Sequence, residues 1–468
     1  MILRKPFGRA PIALLFALAT GLCLIAGCSS TTIPASSTGS IATAALAIPV
    51  LITDAPSDQL VAFTLTLNSI VLTDSAGKTA SILPTPTTIE VCHLNGIQEA
   101  LVTASIPEDT YISALITFSN PQITYINSSG TPVVASPVLA TTSYNAAFTT
   151  PIAITNTNSS LLFDLLAAQS VTISGTTVTV TPAFSVKAVP SATAVPPQGK
   201  NGTGMQQMGT VVSVSGTSLV IEPGSGANIT LTTNSSTVLQ GFSSLSTLTA
   251  GEVVQVDFVV ETGGVFLATR IQLPPPPPGG QTPNLLSGPV TALTSTGFKM
   301  ALMQGAGPSV GPTSAGAIYT VTTTGTTTFA ISPQLVSLTA LPFTPTFTAA
   351  TLTPGQAVGV TTSAISTSAD TATATNVYLI PQTLDGAVTA ITTSGSYTVY
   401  TLTLALGSAF GTLSGATTVT VYTSTATAGM STTPIAVNST VRFNGLVFNT
   451  SGKFNMVAAV CPDGAPGA

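Results

Sequence analysis

The sequence is poor in the residue types that carry chemistry. It has one histidine (His93), no tryptophan and four cysteines, and only 5% of its residues are Asp, Glu, Lys or Arg, against roughly 25% in a soluble domain. Ten Lys and Arg, thinly spread, give no basic patch that could neutralise a row of phosphates. Nucleic acid is therefore excluded as a partner. A single histidine cannot build a multi-histidine metal centre, and the calcium loop with alternating acidic positions and a central glycine is absent. Neither a metal nor a cofactor is expected. Scarcity of charge does not signal disorder here, because disordered chains are charge-rich and poor in β-branched residues. From Met300 to Ala369 the chain has no formal charge at all, an odd surface for a freely soluble protein unless partners, glycans or neighbouring domains cover it.

What is present begins with a targeting segment. Arg4, Lys5 and Arg9 precede an apolar run from Ile12 to Ile25 that is short for a bilayer span and ends in small residues, the layout of a cleavable secretory signal over residues 1–27. The stretch Leu24-Ile25-Ala26-Gly27-Cys28-Ser29-Ser30 resembles the lipobox of bacterial lipoproteins, with Ile25 where Leu is commoner. The resemblance implies cleavage before Cys28 and a diacylglyceryl group on its thiol. Ser29 is similar to the sorting pattern of outer-membrane lipoproteins. With each buried CH₂ contributing about 0.8 kcal/mol, several acyl chains hold a protein on a membrane stably where one does not. The expected location is the cell envelope, with the membrane as one partner.

Residues 28–47 read as a Ser/Thr/Ala-rich tether. From Ile48 the apolar residues recur at period two, as in Phe63, Leu65, Leu67, or Val178 and Val180, between turns such as Asp74-Ser75-Ala76-Gly77 and Asn127-Ser128-Ser129-Gly130. Only short runs, Asn95 to Thr103 and Leu161 to Gln169, are able to make a helical turn. The fold class is all-β, a sandwich followed by about three small barrel or sandwich units. Two composition breaks divide the chain, a Pro/Gly/Asn/Gln-rich linker at 190–208 and a polyproline linker at 274–284. They leave a β-sandwich at 48–189 and units at 209–273, 285–380 and 384–462. A motif opens each small unit: Gly209-Thr210-Val211-Val212, Gly288-Pro289-Val290-Thr291 and Gly386-Ala387-Val388-Thr389. Such long spacings fit tandem autonomous domains rather than a solenoid.

The opening turn Leu51-Ile52-Thr53-Asp54-Ala55-Pro56, the strand Leu67 to Leu72, the element Ile106 to Tyr111 and the run Leu162-Phe163-Asp164-Leu165 make residues 48–189 resemble a domain of unknown function found in bacterial lipoproteins. Asp109 stands where that family usually has Gly. The later units are similar to a second domain of unknown function, a compact barrel of oligonucleotide/oligosaccharide-binding (OB) shape that opens on a G-x-V-x-x-V strand. Neither resemblance implies an activity.

Candidate sites are few. Cys92 and His93 are neighbours, and on a strand they point to opposite faces, so they read as a strand cysteine and a surface histidine. Asp54 with Asp58, or Glu108 with Asp109, offer hard oxygen ligands, but Asp54 reads as a turn residue bonding backbone N–H groups. Asp164, inside an apolar run, reads as a buried hydrogen-bond hub. Asp54 and Asp164 are thus the candidate structural or ligand contacts, Cys28 is the lipidation site, and no residue is assigned to catalysis. After processing only Cys92 and Cys461 remain to pair, and two free thiols are expected. The function expected is a non-catalytic structural, adhesive or scaffold role in the envelope, with a surface protein or glycan as partner. Alternatives are a carbohydrate-binding lipoprotein and a carboxylate-dependent glycoside hydrolase, the latter lacking any recognisable carboxylate pairing.

Overall fold

Nearly every described segment is a strand, as the period-two pattern requires. The computed structural model describes residues 44–54, 57–94, 97–157, 159–191, 205–223, 228–274, 283–310, 315–332, 337–427, 430 and 434–461. The signal segment, Cys28, most of the tether and most of both linkers lie outside the described residues. Among the described residues only two short α-helices, Ala167–Ser170 and Ala409–Ser414, and two 3-10 turns, Cys92–Leu94 and Leu245–Thr247, interrupt the strands. Of the two runs able to make a helical turn, Leu161 to Gln169 finishes strand Ser159–Leu165 and then makes the helical turn Ala167–Ser170, while the described part of the other belongs mainly to strand Glu99–Pro107, whose alternate apolar residues are claimed by a core.

The folded part starts with strand Ala45–Asp54, ahead of Ile48. It lies in a four-stranded sheet between Ser159–Leu165, its parallel neighbour, and Glu99–Pro107. A second sheet, built on the long hairpin-like pair Leu60–Asp74 and Asp109–Ile126, faces it. Ile48, Val50, Ile52, Leu161 and Phe163 from the first sheet meet Phe63, Leu65, Leu67, Ile116 and Phe118 from the second in one core. The turn after Leu60–Asp74 closes as its sequence dictates: Asp74 Oδ1 accepts from the backbone N–H groups of Ala76 and Lys78 at 2.8 and 2.7 Å.

Three units follow that share a ring of five strands with one common order of pairings, to which the first adds Val238–Gln240 and the second Gln304–Ala306 and Thr328–Ile331. The ring strands are Met205–Ser215, Ser218–Pro223, Ile229–Thr232, Val253–Glu261 and Val265–Gln272; then Asn284–Thr294, Gly297–Ala301, Ile318–Thr322, Ala357–Ser366 and Thr371–Leu379; then Gln382–Ser394, Tyr397–Leu404, Thr418–Thr423, Thr440–Thr450 and Lys453–Val460. In each, the first strand pairs antiparallel with the second and fourth, the second with the third, and the fourth with the fifth; a parallel pairing of third and fifth closes the ring. This is the order of a five-stranded Greek-key barrel of OB type.

The repeated glycine has a physical cause. A Cβ on Gly209, Gly288 or Gly386 would run into the backbone carbonyl of Glu222, Ala301 or Thr403 on the second strand of the same unit. In each first strand the register then shifts, at Val211/Ser213, Val290/Ala292 and Val388/Ala390. The glycine lets the strands approach where a bulge bends the barrel wall.

The units share their cores. On the opening strand, Leu51 points away from the sandwich core and, with Ala100 and Leu162, joins the core of the first barrel beside Val211, Val254 and Ile271. Leu446, Phe448 and Val457 of the third barrel belong to the core of the second. Polar joints add direction: Ala100 N–H donates to Gln207 Oε1 at 3.2 Å, Thr124 Oγ1 donates to the Gly316 carbonyl at 2.9 Å, and Gln356 Nε2 donates to the Val447 carbonyl at 2.8 Å.

Gly386→Ala is expected to lower stability by about 1–3 kcal/mol, the usual cost of forcing an extra carbon into a filled site, read as a lower urea midpoint at unchanged slope.

Candidate functional site

The three barrels turn the same outer face toward one cleft of about 290 Å³. In the first barrel, Met208, Gln255 and Gln272 are cross-strand neighbours on the first, fourth and fifth strands. In the second the equivalent row is Ser287, Gly359 and Tyr378. These side chains are in the cleft lining because their strand neighbours Val254, Val256, Val358 and Val360 fill the barrel cores. The third barrel contributes Gln382, Thr383 and Asn444, and the sandwich completes the lining with Asp58, His93 and Glu99.

His93 is not the surface histidine that the sequence suggests. Cys92–Leu94 is a 3-10 turn rather than a strand, and Glu90 organises it. Glu90 Oε1 accepts from Phe63 N–H at 2.9 Å and Cys92 N–H at 3.1 Å, and Oε2 accepts from His93 N–H at 3.0 Å. The imidazole lies between two carboxylates, with Nδ1 2.9 Å from Glu90 Oε2 and Nε2 2.9 Å from Glu99 Oε1. Burial alone would lower its pKa, but the charge of Glu99 and the contacts with Glu90 outweigh burial and push it up to about 10. His93 is therefore an imidazolium at neutral pH, with each nitrogen against a carboxylate, Nδ1 in a hydrogen bond with Glu90 and Nε2 in an ion pair with Glu99. It cannot act as a base toward Cys92, whose thiol is itself pushed well above its ordinary value by burial and then by Glu90. Beside this triad a smaller void of about 30 Å³, bounded by Glu90, His93, Glu99 and Gln304, has room for a water.

At the other end of the cleft the sandwich meets the third barrel through carboxylates. Asp58 N–H donates to Asp385 Oδ2 and Asp385 N–H donates to Asp58 Oδ2, both at 3.3 Å. Arg442 Nε donates to Asp385 Oδ1 at 2.7 Å. Burial, then the nearby Asp385 charge, raises the Asp58 pKa to about 7. Asp385 and Arg442 occupy the cross-strand positions that Ser287 and Gly359 occupy in the second barrel.

The residues singled out in the sequence are placed elsewhere. Asp54 and Asp164 do come together, on adjacent parallel strands in which Asp54 faces Leu165 and Thr53 faces Asp164. Asp54 is buried, its Oδ1 accepts from Ala167 N–H at 3.3 Å, and burial followed by the charge of Asp164 raises its pKa well above the usual carboxylate range. Neither lines the cleft. Asp109 makes a loose pair with exposed Lys78 at 3.9 Å, and the Glu108 N–H donates to the Ala44 carbonyl. Cys92 and Cys461 are buried in separate cores and are not joined by a disulfide. Among the described residues no three His, Cys, Asp or Glu side chains converge as a metal-ligand set. Sequence reasoning missed Glu90, Glu99, Gln255, Gly359, Asp385 and Arg442. The available signal was a polar residue or glycine at the alternate positions of apolar strands, as in Val254-Gln255-Val256 and Val358-Gly359-Val360.

The triad sets a pH dependence. The histidine pKa is about 10 in the fold against an ordinary value of 6.5, so its stabilisation is complete below pH 6.5 and is lost as the pH rises through 10. Asp58 acts in the same direction over a lower window, its raised pKa removing stability as the pH climbs from 3.8 through about 7. The melting temperature is expected to fall between pH 7 and 10 in the parent chain. The His93→Gln variant should be less stable at pH 7 and show a flatter profile over that range, in thermal melts across a buffer series.

A comparison with curated proteins finds none that matches the chain. Residues 208–272, the first barrel with its Met208, Gln255 and Gln272 row, match a protein family described as a domain of unknown function (DUF5666).

Proposed function

We propose that this chain is a lipid-anchored protein of the bacterial cell envelope, on the outer membrane, that works by binding and not by catalysis. The anchor reading rests on the charged and apolar signal segment and the lipobox-like residues before Cys28. The binding reading is carried by one observation: the ionisable side chains at the cleft are tied into joints. His93 is clamped between Glu90 and Glu99, and Asp58 is locked to Asp385 across the junction of sandwich and barrel. A general base or nucleophile needs a free face toward its substrate, whereas both His93 nitrogens lie against carboxylates, Asp58 Oδ2 is tied to the Asp385 N–H, and Asp58 Oδ1 is closed off from solvent. On this reading a Ser/Thr/Ala-rich tether carries an interlocked sandwich and three barrels off the membrane and presents their cleft to a surface protein or glycan.

Intact mass spectrometry of detergent-extracted protein tests the anchor. The expected mature N-terminus is Cys28 with the added mass of acyl groups, and Cys28→Ala should accumulate as unprocessed precursor. A mature chain starting elsewhere, or one without acyl mass, would remove the membrane from this reading.

A further inference from the structure

Gly359 carries information that the fold alone does not demand. Six other strand glycines, Gly209, Gly288, Gly297, Gly305, Gly386 and Gly445, have a neighbouring atom where their Cβ would stand. Gly359 does not: its φ is ordinary, and an added Cβ would meet Ile380 Cγ2 at 3.4 Å and Tyr378 Cβ at 4.0 Å, plain van der Waals contact. It sits mid-strand, paired on both sides with Ser287 and Tyr378, and its side-chain position opens into the cleft. Glycine in a strand interior weakens the strand and marks places where another group approaches closely. No group of the described residues fills this one.

The chemistry of the lining selects what does. On the sandwich side the imidazolium of His93 meets two carboxylates, Glu99 and Glu90, and the net negative charge left there is buried in their mutual contacts rather than presented to a ligand. Among the described residues no lysine or arginine lines the cleft, so an anion would find no counter-charge on them. A wholly apolar molecule would strip water from Gln255, whose amide has no hydrogen-bond partner among the described residues. A peptide strand finds little edge to add to, because the fourth and fifth strands of the barrel walls have partners on both sides and, where the first strand of the first barrel reaches the cleft, only residues 206–208 keep one side without a strand partner. What remains is a compact neutral molecule with both donors and acceptors and an apolar face to set against Met208, Ile380 and Phe410. The volume of about 290 Å³ is at the small end of ligand pockets.

We propose that the cleft binds a neutral saccharide of one or two rings, with Gln255 hydrogen-bonding ring hydroxyls and the space over Gly359 receiving a ring beside Tyr378. This rests on the reading of the chain as a binding protein and names its ligand class. Sugar rings combine hydroxyls that donate and accept with C–H faces that pack on apolar side chains, the combination that this lining offers.

The test is saturation-transfer NMR and calorimetric titration of the full mature chain with cellobiose, maltose and N,N′-diacetylchitobiose, with glucuronate and glucosamine as charged controls. At least one neutral sugar is expected to bind, and the charged ones more weakly. Gly359→Val should abolish binding at an unchanged or raised melting temperature, since valine suits a strand better than glycine. Gln255→Leu should weaken it about tenfold, the cost of one unmade hydrogen bond. Absence of binding by all three neutral sugars at millimolar concentration, tighter binding of a charged one, or undiminished binding by folded Gly359→Val would overturn the proposal. Cleavage of a bound disaccharide during the titration would leave the saccharide site standing and overturn the non-catalytic reading instead.

Discussion

The architecture depends on one strand being buried on both faces. Ala45–Asp54 sends Ile48, Val50 and Ile52 into the sandwich and Leu51 into the first barrel. Each such side chain stabilises its core by about 1.5–3 kcal/mol on leaving water, so the two cores cannot separate without exposing Leu51, Ala100 and Leu162. The parallel pairing with Ser159–Leu165 and the near-continuous apolar run Ile48 to Ile52 follow from the same constraint, since a sheet covered on both sides has no polar face to alternate. The cleft exists because this sharing, repeated between the second and third barrels through Leu446 and Phe448, holds the units against one another.

Charge plays an inverted role in this molecule. A chain with only 15 Asp and Glu places Asp54, Asp58, Asp74 and Glu99 in its interior and leaves long stretches of surface to Thr and Ser. Buried ion pairs add little net stability over apolar packing but are costly to break, because the surviving charge is left without a partner. At the junction of the sandwich and the third barrel, Asp58, Asp385 and Arg442 therefore act as a geometric key: apolar contacts tolerate sliding, and reciprocal N–H to carboxylate bonds do not.

The outer faces of the three barrels show how one pattern is put to different uses. The same cross-strand positions hold Met208 and Gln255 in the first, Ser287 and Gly359 in the second, and Asp385 and Arg442 in the third. The third barrel uses them to grip the sandwich, while the first two leave theirs toward the cleft. The glycine that follows, Gly209, Gly288 or Gly386, is common to all because the bulge needs it, whatever the face does.

Period-two alternation, turn chemistry and the recurring glycine were legible in the sequence because each is a local property of the backbone. They were enough for the all-β class and for Asp74 as a turn residue. They also put Asp54 and Asp164 forward, and the structure does bring these together. The setting of His93 was not legible. Adjacency to Cys92 suggested an exposed strand position, and only the packing of Phe63, Glu90 and Glu99 around a 3-10 turn buries the ring between two carboxylates. Nor was the cleft legible, because its lining comes from Ser57 to Asn444 and needs four sheet systems to meet. Side-chain alternation says which residues leave a barrel's core; whether they then meet water, a neighbouring unit or a shared cavity is decided by contacts between segments far apart in the chain, and those only the tertiary structure fixes.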